Sequence, residues 1–167
     1  MRDLTTRIIA KIDDVRYQSF LTSQLNVINI NDFDINTTPT SCIVKDEVLV
    51  DLNNYIIELI ESKNSSSALL PSKADIKDGL LKMILYTNLK NLQIQYLGED
   101  INNLQPQPIL RLTSASIKSE IESSQSELLD NWFLEHAVKS KSTKLFIQEL
   151  FQEARYNNFV VQLKSSK

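Results

Sequence analysis

The segment from residue 46 to residue 63, DEVLVDLNNYIIELIESK, limits the possible folds more than any other stretch of the chain. Asn53 and Asn54 stand between two runs that are rich in β-branched and aromatic residues, and Asn tolerates a positive φ. The pattern therefore predicts a β-hairpin with a tight two-residue turn. Counting outward from the turn gives the facing pairs Leu52 with Tyr55, Val50 with Ile57, Val48 with Leu59, and Asp46 with Glu61.

This pairing brings three charged side chains together at the open end of the hairpin. Side chains alternate between the two faces of a strand, so Asp46, Glu61 and Lys63 share one face. Facing Cβ atoms lie about 5 Å apart, and two carboxylates at that distance repel each other unless a cation lies between them. Mg²⁺ accepts one or two carboxylates together with water and phosphate oxygens. The hairpin therefore predicts a metal held by the two acids, with Lys63 orienting a water or balancing charge.

The same segment also has a helical reading, which the sequence alone leaves open. Its apolar residues fall at helical spacing as well, and periodicity cannot separate a strand from a helix in a short apolar run. In a helix, Glu61 and Lys63 would be ordinary solvated charges. The Tyr and Ile of the second run favour a strand, and the Asn pair disfavours a helix.

An acid on one strand followed by a carboxylate-x-lysine triplet on the next resembles the PD-(D/E)xK nuclease superfamily, and within it the bacterial type II restriction endonucleases. The matching positions are Asp46 and Glu61-Ser62-Lys63, and the resemblance covers about residues 42 to 113. Lys45 stands where the family motif has proline. A polar loop, a helix and a strand are expected after the triplet, as in the family.

The resemblance implies an α/β fold (α+β in looser usage), with a restriction-endonuclease-like mixed β-sheet flanked by helices, in a single domain over residues 1–167. It implies Mg²⁺-dependent hydrolysis of DNA phosphodiester bonds, with Asp46, Glu61 and Lys63 as catalytic residues and the two acids as metal ligands. The expected partners are double-stranded DNA and, for cutting both strands, a second copy of the chain in a homodimer.

The composition is that of an ordinary globular protein, with 42% hydrophobic and 23% charged residues in 167. No apolar run reaches the length of about 20 residues that a membrane span needs, and the first residues do not resemble a secretory signal. A single Cys42 excludes an internal disulfide and a Cys-rich zinc site. A cytoplasmic protein with no membrane partner is therefore expected.

Several kinds of catalytic site lack the residues they need. Gly79 and Gly98 are the only glycines, too few for a Gly-rich phosphate loop, and no serine stands in a G-x-S-x-G motif. His136 is the only histidine, and near a helix end it is expected to act as a cap or surface residue. Among enzymes, this leaves carboxylate-and-metal chemistry as the economical choice.

The net charge of −3 argues against a dedicated non-specific nucleic-acid binder, which would usually be basic. The end of the chain differs, because residues 139–167 hold six basic and two acidic side chains. Contact with phosphate is predicted for Lys139, Lys141, Lys144 and Arg155. The alternative is that these residues form a solvated face.

Hydrophobic periodicity and turn residues predict the remaining elements. Helices are expected over residues 3–21, 72–89, 128–138 and 144–155, with a shorter one within 114–126. Strands are expected over 92–97, 109–113 and 159–163, with a strand or extended loop over 25–30 and the first hairpin strand starting at 42–44. Pro106 and Pro108 predict a loop over 98–108.

The helix that follows Ser72 has a predicted buried stripe, and Gly79 within it predicts a close approach to the sheet backbone. The residues of the stripe are Ile76, Leu80, Met83, Ile84 and Thr87, with Lys73, Lys77 and Lys82 off it. The helix and the strand over 92–97 predict a right-handed parallel crossover from the hairpin. In the later helices the expected buried residues are Leu128, Leu129, Trp132, Phe133, Leu145, Phe146, Leu150 and Phe151.

Two other functions fit the same sequence. One is a non-enzymatic helical module for protein interaction, in which the helices only pack. The other is a repair or recombination nuclease of the same superfamily, which would differ in the shape of its DNA substrate. A second acid-x-lysine triplet, Asp75-Ile76-Lys77, opens a predicted helix and has no strand partner, so it is not expected to form a site.

Overall fold

The structure is a computed structural model that describes residues 29–30, 33–36, 47–51, 54–89, 92–96 and 99–166. Its strands are β1 (Asn29–Ile30), β2 (Phe33–Asn36), β3 (Glu47–Asp51), β4 (Ile56–Ser65), β5 (Leu92–Tyr96), β6 (Glu99–Ser114), β7 (Ile121–Glu122) and β8 (Val160–Ser165). Its helices are α1 (Lys73–Thr87), α2 (Leu129–Glu135) and α3 (Lys141–Tyr156), with a 3₁₀ helix at Ser123–Leu128. None of the helices described is long and apolar enough to cross a membrane.

Some predicted features lie outside the described residues. They are the helix over 3–21, the start of the first hairpin strand at 42–44, and the residues Asp46, Leu52 and Asn53. The described elements fall into two compact units. The prediction of a single domain over residues 1–167 stays a prediction.

The first unit is an antiparallel sheet with the strand order β1-β2-β5-β6, in which β6 takes part up to Leu104. Strand β5 confirms the strand predicted over residues 92–97. The ladder between β5 and β6 has a bulge, because Leu92 faces Leu104 whereas Gln93 faces Asn102. Asn103, the extra residue, has a φ of 65°, a conformation that Asn adopts more readily than most residues.

The second unit is a mixed five-stranded sheet with the order β3-β4-β6-β8-β7, in which β6 takes part from Gln105 onward. Strands β4, β6 and β8 are parallel to one another, and β3 and β7 are antiparallel edge strands among the described residues. With helices α1, α2 and α3, this unit confirms the predicted α/β class. The restriction-endonuclease-like arrangement stays a prediction.

The hairpin of β3 and β4 is confirmed, and the helical alternative for this segment is wrong. Val50 faces Ile57 and Val48 faces Leu59, as the count from the Asn pair predicted. The loop is longer than two residues, because Tyr55 lies in the turn with a φ of 56°. The Asp51 carboxylate stabilises this wider turn by accepting hydrogen bonds from the Asn54 backbone N–H (3.2 Å) and side-chain amide (2.7 Å).

The crossover that begins at β4 leads to β6 and not to β5, so the predicted partner strand is wrong. Helix α1 starts after Ser72 as predicted, and the Ser72 hydroxyl accepts a hydrogen bond from the Asp75 N–H. Strand β6 then pairs parallel with β4 along ten residues, from Gln105 to Ser114. This pairing includes the strand predicted over 109–113 but begins four residues earlier.

The predicted loop over residues 98–108 is wrong, because β6 runs through both of its prolines. In a parallel ladder alternate residues point their N–H groups to opposite neighbours. Gln105 donates its N–H to the Tyr55 carbonyl in the turn before β4, so Pro106 and Pro108 have their ring nitrogens on the other side. On that side β8 pairs with β6 only from Ile109 onward. The prolines therefore cost the described ladders no hydrogen bond.

The strand order predicts that helices α1 and α3 lie on the same face of this sheet. The crossovers from β4 to β6 and from β6 to β8 proceed in the same direction across it, and the usual right-handed connection places both helices on one side. The Lys73 ammonium of α1 lies 5.9 Å from the ring centroid of Phe146 in α3, which is consistent with this arrangement.

Gly79 marks the point where α1 approaches the sheet, as predicted, although it meets a side chain and not the backbone. A Cβ atom at Gly79 would lie 2.5 Å from Cδ1 of Leu110, which is fully buried in β6. The buried residues of α1 are Ile76, Gly79, Met83, Ile84 and Tyr86. Leu80 and Thr87, which the predicted stripe included, are half-buried.

We expect Gly79→Ala to lower the free energy of unfolding by about 1 kcal/mol. Overpacking a filled core costs about 1–3 kcal/mol, which outweighs the roughly 1 kcal/mol that Ala adds to helix stability over Gly. Urea unfolding measures the change, with Lys77→Ala on the exposed side of the same helix as the control. A Gly79→Ala protein as stable as the wild type would mean that Leu110 moves aside freely.

The elements after β6 confirm the predicted helices but shift their boundaries and buried faces. Residues 114–126 form a turn, strand β7 and the start of the 3₁₀ helix, so the short helix predicted there is wrong. Helix α3 begins at Lys141 because Ser140 provides the N-cap by accepting a hydrogen bond from the Thr143 N–H. Its buried residues are Ile147, Leu150, Phe151 and Ala154, whereas Leu145, predicted to be buried, is 55% exposed.

Helix α2 is fixed by its tryptophan and by the histidine at its end. Trp132 and Phe133 are buried as predicted, whereas Leu128 is 45% exposed. His136 stacks on Trp132 with the ring centroids 4.0 Å apart, and its Nε2 accepts a hydrogen bond from the Lys118 N–H (2.8 Å). The prediction that His136 is a cap residue is confirmed.

Candidate active site

Two charged residues of β4 and two of α1 meet between the strand and the helix. Glu61 and Lys63 are two residues apart on a strand and share a face, and Asp78 and Lys82 are four residues apart on a helix and share a face. Because α1 packs on the sheet at Gly79, the two pairs are brought into contact. We call these four residues the ionic cluster.

The contacts within the ionic cluster form a chain from the interior to the surface. The Lys82 ammonium lies 2.5 Å from Oε1 of Glu61, and the Lys63 ammonium lies 2.7 Å from the same oxygen. Lys63 also donates a hydrogen bond of 2.6 Å to Oδ2 of Asp78. The predicted pair Glu61 and Lys63 is therefore in direct contact, and each member has a further partner on α1.

Burial decreases along this chain. The exposed fraction of the side chain is 2% for Glu61, 17% for Lys63, 25% for Lys82 and 56% for Asp78. A buried carboxylate is unstable as an anion unless it is paired and hydrogen-bonded, and the two ammonium groups meet that need at Oε1. The second carboxylate oxygen, Oε2 of Glu61, is buried and has no hydrogen-bond partner among the described residues.

The surroundings of Lys63 favour its charged form. Burial alone would lower the pKa of Lys63, but the hydrogen bonds and negative charges of Asp78 and Glu61 outweigh burial and raise that pKa above its ordinary value of 10.5. The ammonium is therefore charged throughout the neutral and mildly alkaline range.

This shift predicts a loss of stability at high pH. A group whose pKa is higher in the folded state stabilises that state fully below its unfolded pKa, and the contribution is lost as pH rises through the folded pKa. We expect the free energy of unfolding of the wild type to exceed that of Lys63→Met by a constant amount up to about pH 10 and by less at higher pH. Urea unfolding of both proteins between pH 7 and pH 11.5 measures this, and a difference that grows with pH would contradict it.

The described residues meet the needs of a Mg²⁺ site in part. Oε2 of Glu61 is a carboxylate oxygen with no partner in the described part of the chain, and carboxylate oxygens are ligands that Mg²⁺ prefers. Oδ2 of Asp78 is bound to Lys63, and the two acids of the ionic cluster are balanced by its two lysines. The described part of the chain holds no group of three His, Cys, Asp or Glu side chains placed to bind a metal. The predicted second ligand, Asp46, is outside that part.

Asp78 and Lys82 are the members of the ionic cluster that the sequence reasoning missed. Lys82 was predicted to lie off the buried stripe of α1, but it is half-buried and points to the sheet. A signal was present, because Gly79 marks the helix face nearest the sheet, Asp78 adjoins it and Lys82 is one turn further along. The second triplet, Asp75-Ile76-Lys77, has both charged residues exposed and takes no part, as predicted.

The four basic residues predicted to contact phosphate do not form one group. Lys139 and Lys141 are exposed near the start of α3, and Lys144 is half-buried with its ammonium 5.4 Å from the Phe133 ring centroid. Arg155 is in the last turn and donates a hydrogen bond to the Ser126 hydroxyl (3.0 Å). Lys141 and Arg155 are about 21 Å apart along the helix axis at 1.5 Å per residue. Contact with DNA stays a prediction for all four.

A second ionic group lies on the other face of the sheet. Strand register places Arg111 beside Ser62 of β4 and Gln162 of β8. Ser62 directly follows Glu61, so these side chains are on the face opposite to Glu61. Arg111 contacts the Glu47 carboxylate and donates a hydrogen bond to Oε1 of Gln162 (3.2 Å). These contacts link β3, β6 and β8, and they have no residue in common with the ionic cluster.

Comparisons of the chain with protein-family models, with curated proteins and with solved structures found no match in any of the three. The resemblance to PD-(D/E)xK nucleases therefore rests on the residues of the hairpin and on the order of the elements that follow it. It stays a prediction.

Proposed function

We propose that this protein is a Mg²⁺-dependent endonuclease that hydrolyses DNA phosphodiester bonds, similar to the type II restriction endonucleases. The observation that supports the proposal is the Glu61 carboxylate. It is buried, it contacts the ammonium of the lysine two residues later, and one of its oxygens has no partner within the ranges that the structure describes. This is the arrangement that a carboxylate-x-lysine triplet needs if its acid is to bind a cation while its lysine acts on a phosphate.

In this proposal Glu61 supplies Oε2 to the Mg²⁺ ion, and Asp46 is the second acidic ligand. The bound ion would polarise the phosphate and lower the pKa of a coordinated water. Lys63 donates hydrogen bonds to the phosphate oxygen on which negative charge develops, or orients the attacking water. Because its pKa is raised, Lys63 carries its charge throughout the neutral and mildly alkaline range.

The proposal includes a substrate, an oligomeric state, a compartment and a set of DNA-contacting residues. The substrate is double-stranded DNA, and a homodimer would place one such site on each strand of the duplex. The expected compartment is the cytoplasm, where Mg²⁺ and DNA are both present. Lys139, Lys141, Lys144 and Arg155 are the residues proposed to contact the DNA backbone.

The contacts of the ionic cluster also support a purely structural role. The four charges of the ionic cluster sum to zero, and both lysines contact acids, so the cluster could serve only to fix α1 on the sheet. The protein would then be an interaction module with no activity. A repair or recombination nuclease would share the site and differ only in the preferred DNA structure.

The direct test is Mg²⁺-dependent nicking of a supercoiled plasmid by the purified protein. Nicked or linear plasmid is expected with Mg²⁺ and none with a chelator, because the carboxylate oxygen alone cannot polarise a phosphate. Linear, flapped and single-stranded DNA substrates in the same assay separate a restriction-like enzyme from a repair nuclease. A homogeneous, folded protein without activity on any of these substrates would support the structural reading.

A further inference from the structure

Glu61 has two ammonium groups on the same carboxylate oxygen, one more than an ion pair requires. Lys63 reaches Oε1 from the same strand at 2.7 Å, and Lys82 reaches it from α1 at 2.5 Å. The carboxylate-x-lysine pattern accounts for Lys63 alone. The presence of Lys82 needs a separate explanation.

The two lysines differ in their other contacts. Lys63 also donates a hydrogen bond to Asp78, whose side chain is 56% exposed. If Lys63 turned away from Asp78, that carboxylate would be hydrated at little cost. If Lys63 turned away from Glu61, the free-energy cost would depend on which positive groups still contacted the Glu61 carboxylate, because that side chain is only 2% exposed and cannot be hydrated.

A buried carboxylate that loses its last counter-ion is costly, since the charge is then neither solvated nor paired. Lys82 prevents this loss. With Lys82 on Oε1, the ammonium of Lys63 can leave the carboxylate and bind another anion, and Glu61 still has a positively charged hydrogen-bond donor. Without Lys82, Lys63 would be the only described donor to Oε1. Its departure would leave that buried oxygen unpaired even with a cation on Oε2, so Lys63 would be held on Glu61.

We propose that Lys82 is the permanent counter-ion of Glu61, and that it frees Lys63 to bind the scissile phosphate. The expected effect of Lys82 on kcat rests on the proposed nuclease function. The pairing of Lys82 with Glu61 can be tested by stability measurements alone. Lys82 is a positioning residue in this scheme. It acts on Glu61 and, through Glu61, on the freedom of Lys63.

The first test is a cycle of variants measured by urea unfolding at pH 7 without metal. Lys63→Met and Lys82→Met each leave Glu61 with one ammonium, so each is expected to change the unfolding equilibrium constant only modestly. The double variant leaves the buried carboxylate with neither lysine. Its unfolding constant is expected to exceed the product of the two single effects by roughly a hundredfold.

Glu61→Gln serves as the internal control for this cycle. In the Glu61→Gln background there is no buried carboxylate to leave unpaired, so the excess destabilisation of the double lysine variant is expected to disappear. If the double variant does not fold, adding Glu61→Gln is expected to restore folding. Additive effects with Glu61 present, or a double variant that Glu61→Gln does not rescue, would overturn the inference.

The second test separates this inference from the proposed function. In plasmid nicking at a temperature well below unfolding, Lys82→Met is expected to lower kcat by about tenfold or more with little change in KM. Lys82→Arg is expected to restore kcat, because it restores the positive charge beside Oε1. A purely structural role for Lys82 would change stability and leave kcat unaltered in the molecules that remain folded.

The two failures have different signatures. If the wild type does not nick DNA, the proposed function fails, and if Lys63→Met nicks DNA as well as the wild type does, the proposed role of Lys63 fails. In both cases the unfolding cycle alone decides the counter-ion role of Lys82. If Lys63→Met is inactive while Lys82→Met keeps the wild-type kcat, the nuclease proposal stands and the inference about Lys82 fails.

Discussion

Lys63→Met is expected to lower the rate of Mg²⁺-dependent plasmid nicking by at least about a hundredfold. A positioned donor that meets developing charge contributes roughly 10²–10³ in rate, and methionine fills similar space without the charge. The fold should persist, because Glu61 keeps Lys82 on its carboxylate after the substitution. Initial rates of nicking, compared at equal concentrations of folded protein, measure the effect.

Lys77→Met is the matched control for that experiment. Lys77 belongs to an acid-x-lysine triplet as Lys63 does, but it lies on the exposed side of α1, away from the ionic cluster. Its substitution should leave nicking unchanged. Equal losses in both variants would point to a general effect of positive charge on DNA binding, and no loss in either would remove Lys63 from the proposed site.

Glu61→Ala is expected to lower the free energy of unfolding by about 3 kcal/mol. The substitution leaves two partly buried ammonium groups without their shared acceptor, and removing one partner of a buried ion pair costs about 3–5 kcal/mol. We expect the lower end of this range because Lys63 still donates its hydrogen bond to Asp78 and because both lysine side chains are partly exposed to solvent. Urea unfolding at pH 7 measures the change.

Glu58→Ala is the control for the stability experiment. Glu58 is on the same strand as Glu61, three residues earlier, and its side chain is on the opposite face and half-buried. Its substitution is expected to change stability by about 0.5 kcal/mol or less. A Glu61→Ala protein that is no less stable than Glu58→Ala would show that the ionic cluster does not hold α1 to the sheet.

The hairpin could be predicted from the sequence because local rules determine it. The Asn pair limits where the chain can reverse, and strand alternation then sets which residues face each other, so Val50 and Val48 meet their predicted partners. The wider loop could not be predicted in the same way. It depends on hydrogen bonds from Asn54 to the Asp51 side chain, which compete with the tight turn.

The course of β6 could not be predicted from its own residues. Pro106 and Pro108 predict a loop in isolation, and they are compatible with a strand only because of which neighbour each nitrogen faces. That depends on the order of strands in the sheet, which local patterns do not encode. The choice of β6 over β5 as the parallel partner of β4 has the same origin.

In the candidate site, too, some contacts follow from local sequence and others depend on the tertiary fold. Glu61 and Lys63 follow from spacing on one strand, and the structure brings them together. Lys82 comes from another element, 21 residues further along the chain, and its contact with Glu61 depends on how closely α1 approaches Leu110. Helical periodicity placed Lys82 off the buried stripe because the pattern considers apolar residues only. It cannot identify a lysine that pairs with a buried acid on another element.

The prolines of β6 also limit how this strand can pair with another chain. Where β6 has β4 on one flank and has not yet met β8 on the other, an ordinary strand would offer free N–H groups to any extended chain in solution. Pro106 and Pro108 offer none on that flank. Another strand would find only carbonyl groups at these two positions and could not complete a ladder there, so the prolines disfavour β-pairing with a second chain along this flank.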